Sequence, residues 1–215
     1  MTDEKETGRI EAFSDGVFAV AITLLVLDIK VPTTPLSNPQ VSLTRELFNQ
    51  WPVYLAFVTS FLTILVMWIN HHRIFGLIKR SDDRFLIING LLLLTVSVFP
   101  FTTSLVATYI RNPQVRDAAL VYSGTSVLLA VMFNVVWRYA SKDGRLLAAN
   151  HDTVAALGIT ESYRHGPTFY IIVFLIGFFS PHICLLLCLA LALFFTIPPR
   201  KHAACATGAS SRNAR

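Results

Sequence analysis

The chain has 215 residues, 53% of them hydrophobic and only 14% charged. Soluble domains carry closer to about a quarter charged residues, so the composition excludes an ordinary water-soluble enzyme or binding module and points to an all-α integral membrane protein. A formal charge of +5 would suit a nucleic-acid partner, but the basic residues fall in alternate loops rather than along one stripe, and no such partner is expected.

A bilayer-spanning helix needs roughly 20 mostly apolar residues. Six stretches qualify, at about Ile10 to Ile29, Trp51 to Asn70, Leu86 to Tyr109, Ala118 to Trp137, Pro167 to Phe179 and His182 to Ile197. The last two are separated only by Ser180-Pro181-His182 and read as two short helices joined by a tight turn, with one kinked helix as the lesser reading. The first stretch carries Glu11 and Asp15 and has no small-residue cleavage site, so it is expected to stay in the mature chain rather than act as a signal peptide.

Between the first two stretches, Pro32, Pro35 and Pro39 favour an extended surface crossing, with room for a short helix near Ser42 to Phe48. Ser141 to His165 is expected to be the longest soluble segment, an inner loop with a surface helix over Val154 to Ile159. Residues 1–200 therefore read as one six-helix membrane domain. Residues 201–215, mostly small and basic, read as a disordered tail. The three cysteines, Cys184, Cys188 and Cys205, set out neither a disulfide framework nor a zinc spacing.

Of the 18 lysines and arginines, only Lys30, Arg45, Arg111 and Arg116 fall in segments on the side away from the N-terminus. The positive-inside rule then predicts that both termini are cytoplasmic, which fits an even number of spans.

The first stretch has two faces. With Val20 set at zero and about 100° per residue, Phe13, Gly16, Thr23, Leu24 and Leu27 lie within roughly 60° of it, whereas Asp15 and Ser14 lie about 140° and 120° away. An apolar stripe of this kind fits core packing, with Thr23 bonding the carbonyl of Ala19, or the lining of an axis shared between subunits. Asp15 fits a buried structural acceptor or a functional group, since a carboxylate at membrane depth must face protein or water.

The second stretch ends in Trp68-Ile69-Asn70-His71-His72-Arg73. Adjacent histidines point about 100° apart, a poor arrangement for a shared metal, so no metal site is expected. One histidine is instead expected to donate to a carboxylate such as Asp15, with a charge that responds to pH.

These residues carry a resemblance. Arg9-x-x-x-Phe13-Ser14-Asp15, the run Gly16 to Leu27 and Trp68-x-Asn70-His71 resemble the prokaryotic branch of the transmembrane protein 175 potassium channel family, over the length of the chain. The resemblance implies a homotetramer in a bacterial inner membrane, with the first of six helices from each subunit lining a central pore and potassium as the permeant ion. It implies no cofactor and no enzymatic activity.

Carried over by position, the resemblance puts the pore constriction at Val20, with further layers at Leu24 and Leu27 and an ion-facing hydroxyl at Thr23. Arg9, Phe13, Ser14, Asp15, Trp68, Asn70, His71 and His72 become a structural or gating network behind the pore helix. Relatives more often have Ile or Leu where this chain has Val20. No Thr-Val-Gly-Tyr-Gly carbonyl filter occurs, so selectivity would be weak and extend to rubidium and caesium.

Two other classes remain open. A proton-coupled secondary transporter would use Asp15 with His71 or His72 as a relay. An integral membrane enzyme would need a nucleophile or metal set, and neither a nucleophile elbow nor a metalloprotease spacing occurs.

Overall fold

The computed structural model describes residues 3–38, 40–148 and 152–196. The expected disordered tail lies outside these residues. In order, the elements are α1 (Asp3–Leu24), continued by a 3₁₀ turn (Leu25–Asp28), then α2 (Thr34–Ser37), α3 (Leu43–Asn49), α4 (Trp51–Leu77), α5 (Asp83–Tyr109), α6 (Val115–Ser141), a 3₁₀ turn (Lys142–Gly144), α7 (Thr153–Gly177) and α8 (Pro181–Thr196).

Four helices are long and apolar enough to cross a bilayer among the described residues: Thr7–Asp28, Trp51–Leu77, Asp83–Tyr109 and Val115–Gly144. At 16 residues α8 is apolar but shorter. The prolines of the α1–α4 connection leave room for two short helices, and the second, Leu43–Asn49, falls where the sequence predicts one.

Helix starts follow from local chemistry. Pro52 takes an early position of α4, where its missing N–H is no loss. Asp82 caps α5 by accepting from the Phe85 N–H at 2.8 Å, and Asp152 caps α7 by accepting from Val154 and Ala155.

The segment from Ser141 to His165 departs from expectation. It is not a long loop with a separate surface helix: α7 begins at Thr153 and runs unbroken through Pro167. Proline in a helix interior removes the bond to the carbonyl four residues back, here that of Tyr163. Asn134 of α6 supplies the missing donor, its Nδ2 lying 2.8 Å from the Tyr163 oxygen. Trp137 adds a second tie, giving its indole N–H to Thr160 at 2.9 Å. Helix continuity across Pro167 is thus set by a neighbouring helix.

At the end of the bundle that carries the α4–α5 turn, that turn is stitched to the segment after α6. The Lys79 N–H reaches Leu146 O, the Ala148 N–H reaches Leu77 O, and Arg80 reaches the carbonyls of Gly144 and Leu147. Gly144 sits in the left-handed region (φ 65°), which glycine enters without steric cost. The interior of the bundle is filled by Phe18, Leu25, Ile64, Leu92, Phe99, Leu129 and Trp137. Lipid tails are as apolar as these side chains, so which face of a helix turns inward is decided by packing and by buried hydrogen bonds.

Candidate functional site

Helix α1 and the 3₁₀ turn that continues it pack on α4 and α5 through Ser14, Phe18, Ala21 and Leu25, all buried. The opposite face is left open by the described residues: Phe13, Val20, Leu24 and Leu27 are 67%, 57%, 43% and 61% exposed, and Gly16 and Thr23 are exposed between them. The stripe predicted from periodicity is therefore a free face, not core. The Thr23 hydroxyl lies 2.9 Å from the Ala19 carbonyl and 3.0 Å from that of Val20, so its hydrogen is engaged by the backbone while its oxygen stays on the outward face.

Behind that face, two sets of polar contacts hold α1. In the first, the Trp68 indole N–H donates to Asp15 Oδ1 at 2.9 Å, and His72 Nδ1 meets Glu11 Oε1 at 3.0 Å. The Trp68 and His72 rings stack with centroids 6.1 Å apart. The second set is buried. His71 Nε2 lies 3.2 Å from Asn89 Oδ1, Asn89 Nδ2 donates to Ser14 Oγ at 3.0 Å, and Ser14 donates to the Ile10 carbonyl at 2.8 Å.

The proton positions in the buried chain follow from its last acceptor. Because the Ile10 carbonyl only accepts, Ser14 donates to it and accepts from Asn89, whose oxygen is left to accept from His71. His71 is therefore the Nε2–H tautomer. Its Nδ1 is buried with no hydrogen-bond partner among the described residues, and the ring lies between Phe75 and Phe18, at 4.3 and 5.3 Å.

Three expectations need correction. Neither histidine bonds Asp15: Trp68 takes that place, because a residue one turn before His72 on α4 is the one that comes level with Asp15. Arg9 does not join the network. It is exposed, without an ion pair among the described residues, and lines a crevice of about 510 Å³ with Phe13, Ser81, Asp82 and Asp83. Asn70 and Phe13 also stand outside it, Asn70 half-buried without a hydrogen-bond partner among the described residues and Phe13 on the free face.

Two members went unpredicted. Glu11 faces His72 across 61 residues and Asn89 faces Ser14 across 75. An amide in the apolar run Leu86-Ile87-Ile88-Asn89-Gly90-Leu91 was the available sign of the second, since a polar group at membrane depth needs a partner. No group of three His, Cys, Asp or Glu among the described residues is placed to hold a metal ion.

The chain is similar to known proteins in sequence and in fold. The sequence model described as "Endosomal/lysosomal potassium channel TMEM175" matches residues 9–100, which carry most of α1, its exposed face and both polar sets. A protein of Chamaesiphon minutus named a potassium channel is 49% identical, over 91% of this chain and 96% of its own. This chain belongs to the TMEM175 family. A Streptomyces collinus relative, also named a potassium channel, is 38% identical over 93% of this chain and 98% of its own. The crystal structure of a Chamaesiphon minutus homolog of the lysosomal potassium-selective channel TMEM175 superposes with a TM-score of 0.80 at 48% identity, covering 89% of this chain and 97% of that one.

Proposed function

We propose that this protein is a subunit of a TMEM175-type potassium channel of the bacterial inner membrane, a homotetramer with six spans per subunit, both termini in the cytoplasm and α1 lining the pore. The observation that carries the reading is the division of α1 into a face left exposed by the described residues and a face held by hydrogen bonds. A helix bound to lipid alone has no reason to present Gly16 and Thr23 in line with Phe13, Val20, Leu24 and Leu27. A symmetric axis gives that line a surface to meet, and closed symmetry is the usual arrangement of homo-oligomers.

In this reading Val20, Leu24 and Leu27 form apolar rings. When the rings are narrow an ion must shed its water and finds no ligand, so the pore closes by dewetting, and widening restores a wet path. Potassium passes more readily than smaller ions because it loses water more easily, and Thr23 oxygens offer a brief replacement ligand. Selectivity is then modest and includes rubidium and caesium. The polar sets behind α1 hold it at one rotation, so their role is structural or gating rather than ion coordination.

The transporter alternative needs Asp15 and a histidine to share a proton. Their nearest polar partners are Trp68, Glu11 and Asn89 instead, which favours the channel.

The test is potassium flux from liposomes holding the purified protein, with planar-bilayer recording and an oligomer mass in detergent. Unitary potassium currents from a tetramer support the proposal. Absence of potassium conductance above empty vesicles in several lipids, or saturable substrate-coupled proton uptake, overturns it.

A further inference from the structure

At the end of the bundle far from the Trp68–Asp15 contact, a cavity of about 210 Å³ opens between α4, α5, α6 and α8. Its walls are apolar, with Leu55 and Ala56 on α4, Val106 on α5 and Leu185, Leu186 and Leu189 on α8. The polar groups that reach it are already engaged. Thr59 bonds the Leu55 carbonyl at 2.8 Å, Tyr122 OH lies 3.2 Å from Ser60, and His182 Nε2 donates to the Ile110 carbonyl at 3.3 Å.

Water needs two to four polar partners to occupy such a space, whereas an apolar cavity of about 150 Å³ stays dry and takes a benzene-sized guest. The guest here is therefore hydrocarbon. At the mouth, Trp51 and Leu186 are half-exposed, and the Arg111 guanidinium lies 5.2 Å from the Trp51 ring centroid. Trp51 opens α4 and Arg111 follows α5, so the cation and the indole sit at the level of the bilayer surface while the leucines lie below it. Hydrocarbon beneath and a cation above are the two halves of a phospholipid.

We infer that this cavity holds the end of one acyl chain of a phospholipid from the adjoining leaflet, with the lipid phosphate at Arg111. The site rests on the protein's lying in a bilayer and not on its being a channel. An acyl chain wedged there would tie α4 to α8 and make their separation depend on the lipid.

The experiment reconstitutes the full chain with phosphatidylglycerol brominated on its acyl chains and locates bromine by anomalous diffraction. Native mass spectrometry after mild delipidation counts the lipid retained per chain. Expected are a bromine peak between Leu55 and Leu186 and one retained phospholipid per chain, lost in Ala56→Leu and weakened in Arg111→Gln. Should Ala56→Leu fail to fold, Leu186→Trp at the exposed mouth blocks the same opening.

An empty cavity, a side chain of a second copy inside it, or retention unchanged in a folded blocking variant overturns the inference. Xenon bound in the cavity with no phospholipid retained would also overturn it, leaving a site for small apolar molecules. Because none of these readings involves current, failure of the channel proposal is scored separately.

Discussion

The indole of Trp68 gives its N–H to Asp15 Oδ1 at 2.9 Å, across 53 residues of sequence. Asp15 is half-buried, and the indole bond gives a polar partner to a carboxylate that lipid would exclude. Trp68→Phe keeps the ring and removes the donor. A hydrogen bond to a charged group contributes about 1.5–3 kcal/mol, and partial exposure puts the expected loss near the lower figure. Thermal unfolding in detergent should show Trp68→Phe clearly destabilised, while Asp15→Asn, whose amide oxygen still accepts, should retain most of the stability. Equal loss in both would mean that charge, not the indole bond, holds the helix.

Asn89 joins His71 and Ser14 in one buried chain, so the two ends should be coupled. Asn89→Leu leaves the His71 N–H without its acceptor, at a cost of about 1–3 kcal/mol. Ser14→Ala made in that background should cost less than Ser14→Ala in the parent protein, with a coupling of about 0.5–3 kcal/mol in a double-mutant cycle. Additive losses would show that the chain is two independent contacts.

A similar cycle tests the proline in α7. Asn134→Ala orphans the Tyr163 carbonyl that Pro167 leaves unbonded, and should destabilise by about 1–3 kcal/mol. In Pro167→Ala the backbone recovers its own donor, and Asn134→Ala should then cost much less.

These examples show what could be read from the sequence. The stripe of α1 was legible, though not whether it is core or free, because helical periodicity alone sorts Val20, Leu24 and Leu27 from Ser14 and Asp15. The partners of the polar face were not, because periodicity says nothing about which side chain of another helix arrives opposite. Asp15 found Trp68 and Ser14 found Asn89 through the relative rotation and depth of α4 and α5. That α7 starts well before Pro167 was hidden for the same reason: the Asn134 amide that serves the Tyr163 carbonyl lies on another helix.

The Asp82 cap carries a pH dependence. Desolvation pushes its carboxyl upward, but the Phe85 N–H, the Tyr139 hydroxyl and the charges of Arg145 and Arg84 outweigh it and hold the acid below the ordinary carboxylate range. A depressed folded value means that the stabilisation is complete above the unfolded pKa, about 4, and is lost as pH falls through the folded value. Thermal midpoints measured downward from pH 5 should therefore fall more steeply for the parent than for Asp82→Asn, which still caps α5 but does not titrate. Parallel curves would remove Asp82 from the acid limb.

The free face of α1 sets the last prediction. If Val20 and Leu24 form the narrow apolar rings, their effect on conduction comes from size and from the absence of any ligand for a dehydrated ion. Val20→Ala widens the ring without changing its polarity, whereas Leu24→Asn supplies an amide oxygen at similar volume. A hydrophobic constriction gates by dewetting, so both should raise potassium conductance in planar bilayers, Leu24→Asn by wetting and Val20→Ala by width. They should differ in selectivity: the wider Val20→Ala ring should admit sodium more freely, because an ion that keeps its water is no longer sorted by the cost of losing it. Thr23→Val removes the outward oxygen at nearly constant volume and should lower conductance while leaving closure intact. Unchanged currents in Val20→Ala and Leu24→Asn, with the protein folded and tetrameric, would take these residues out of the gate and leave their exposed stripe to lipid.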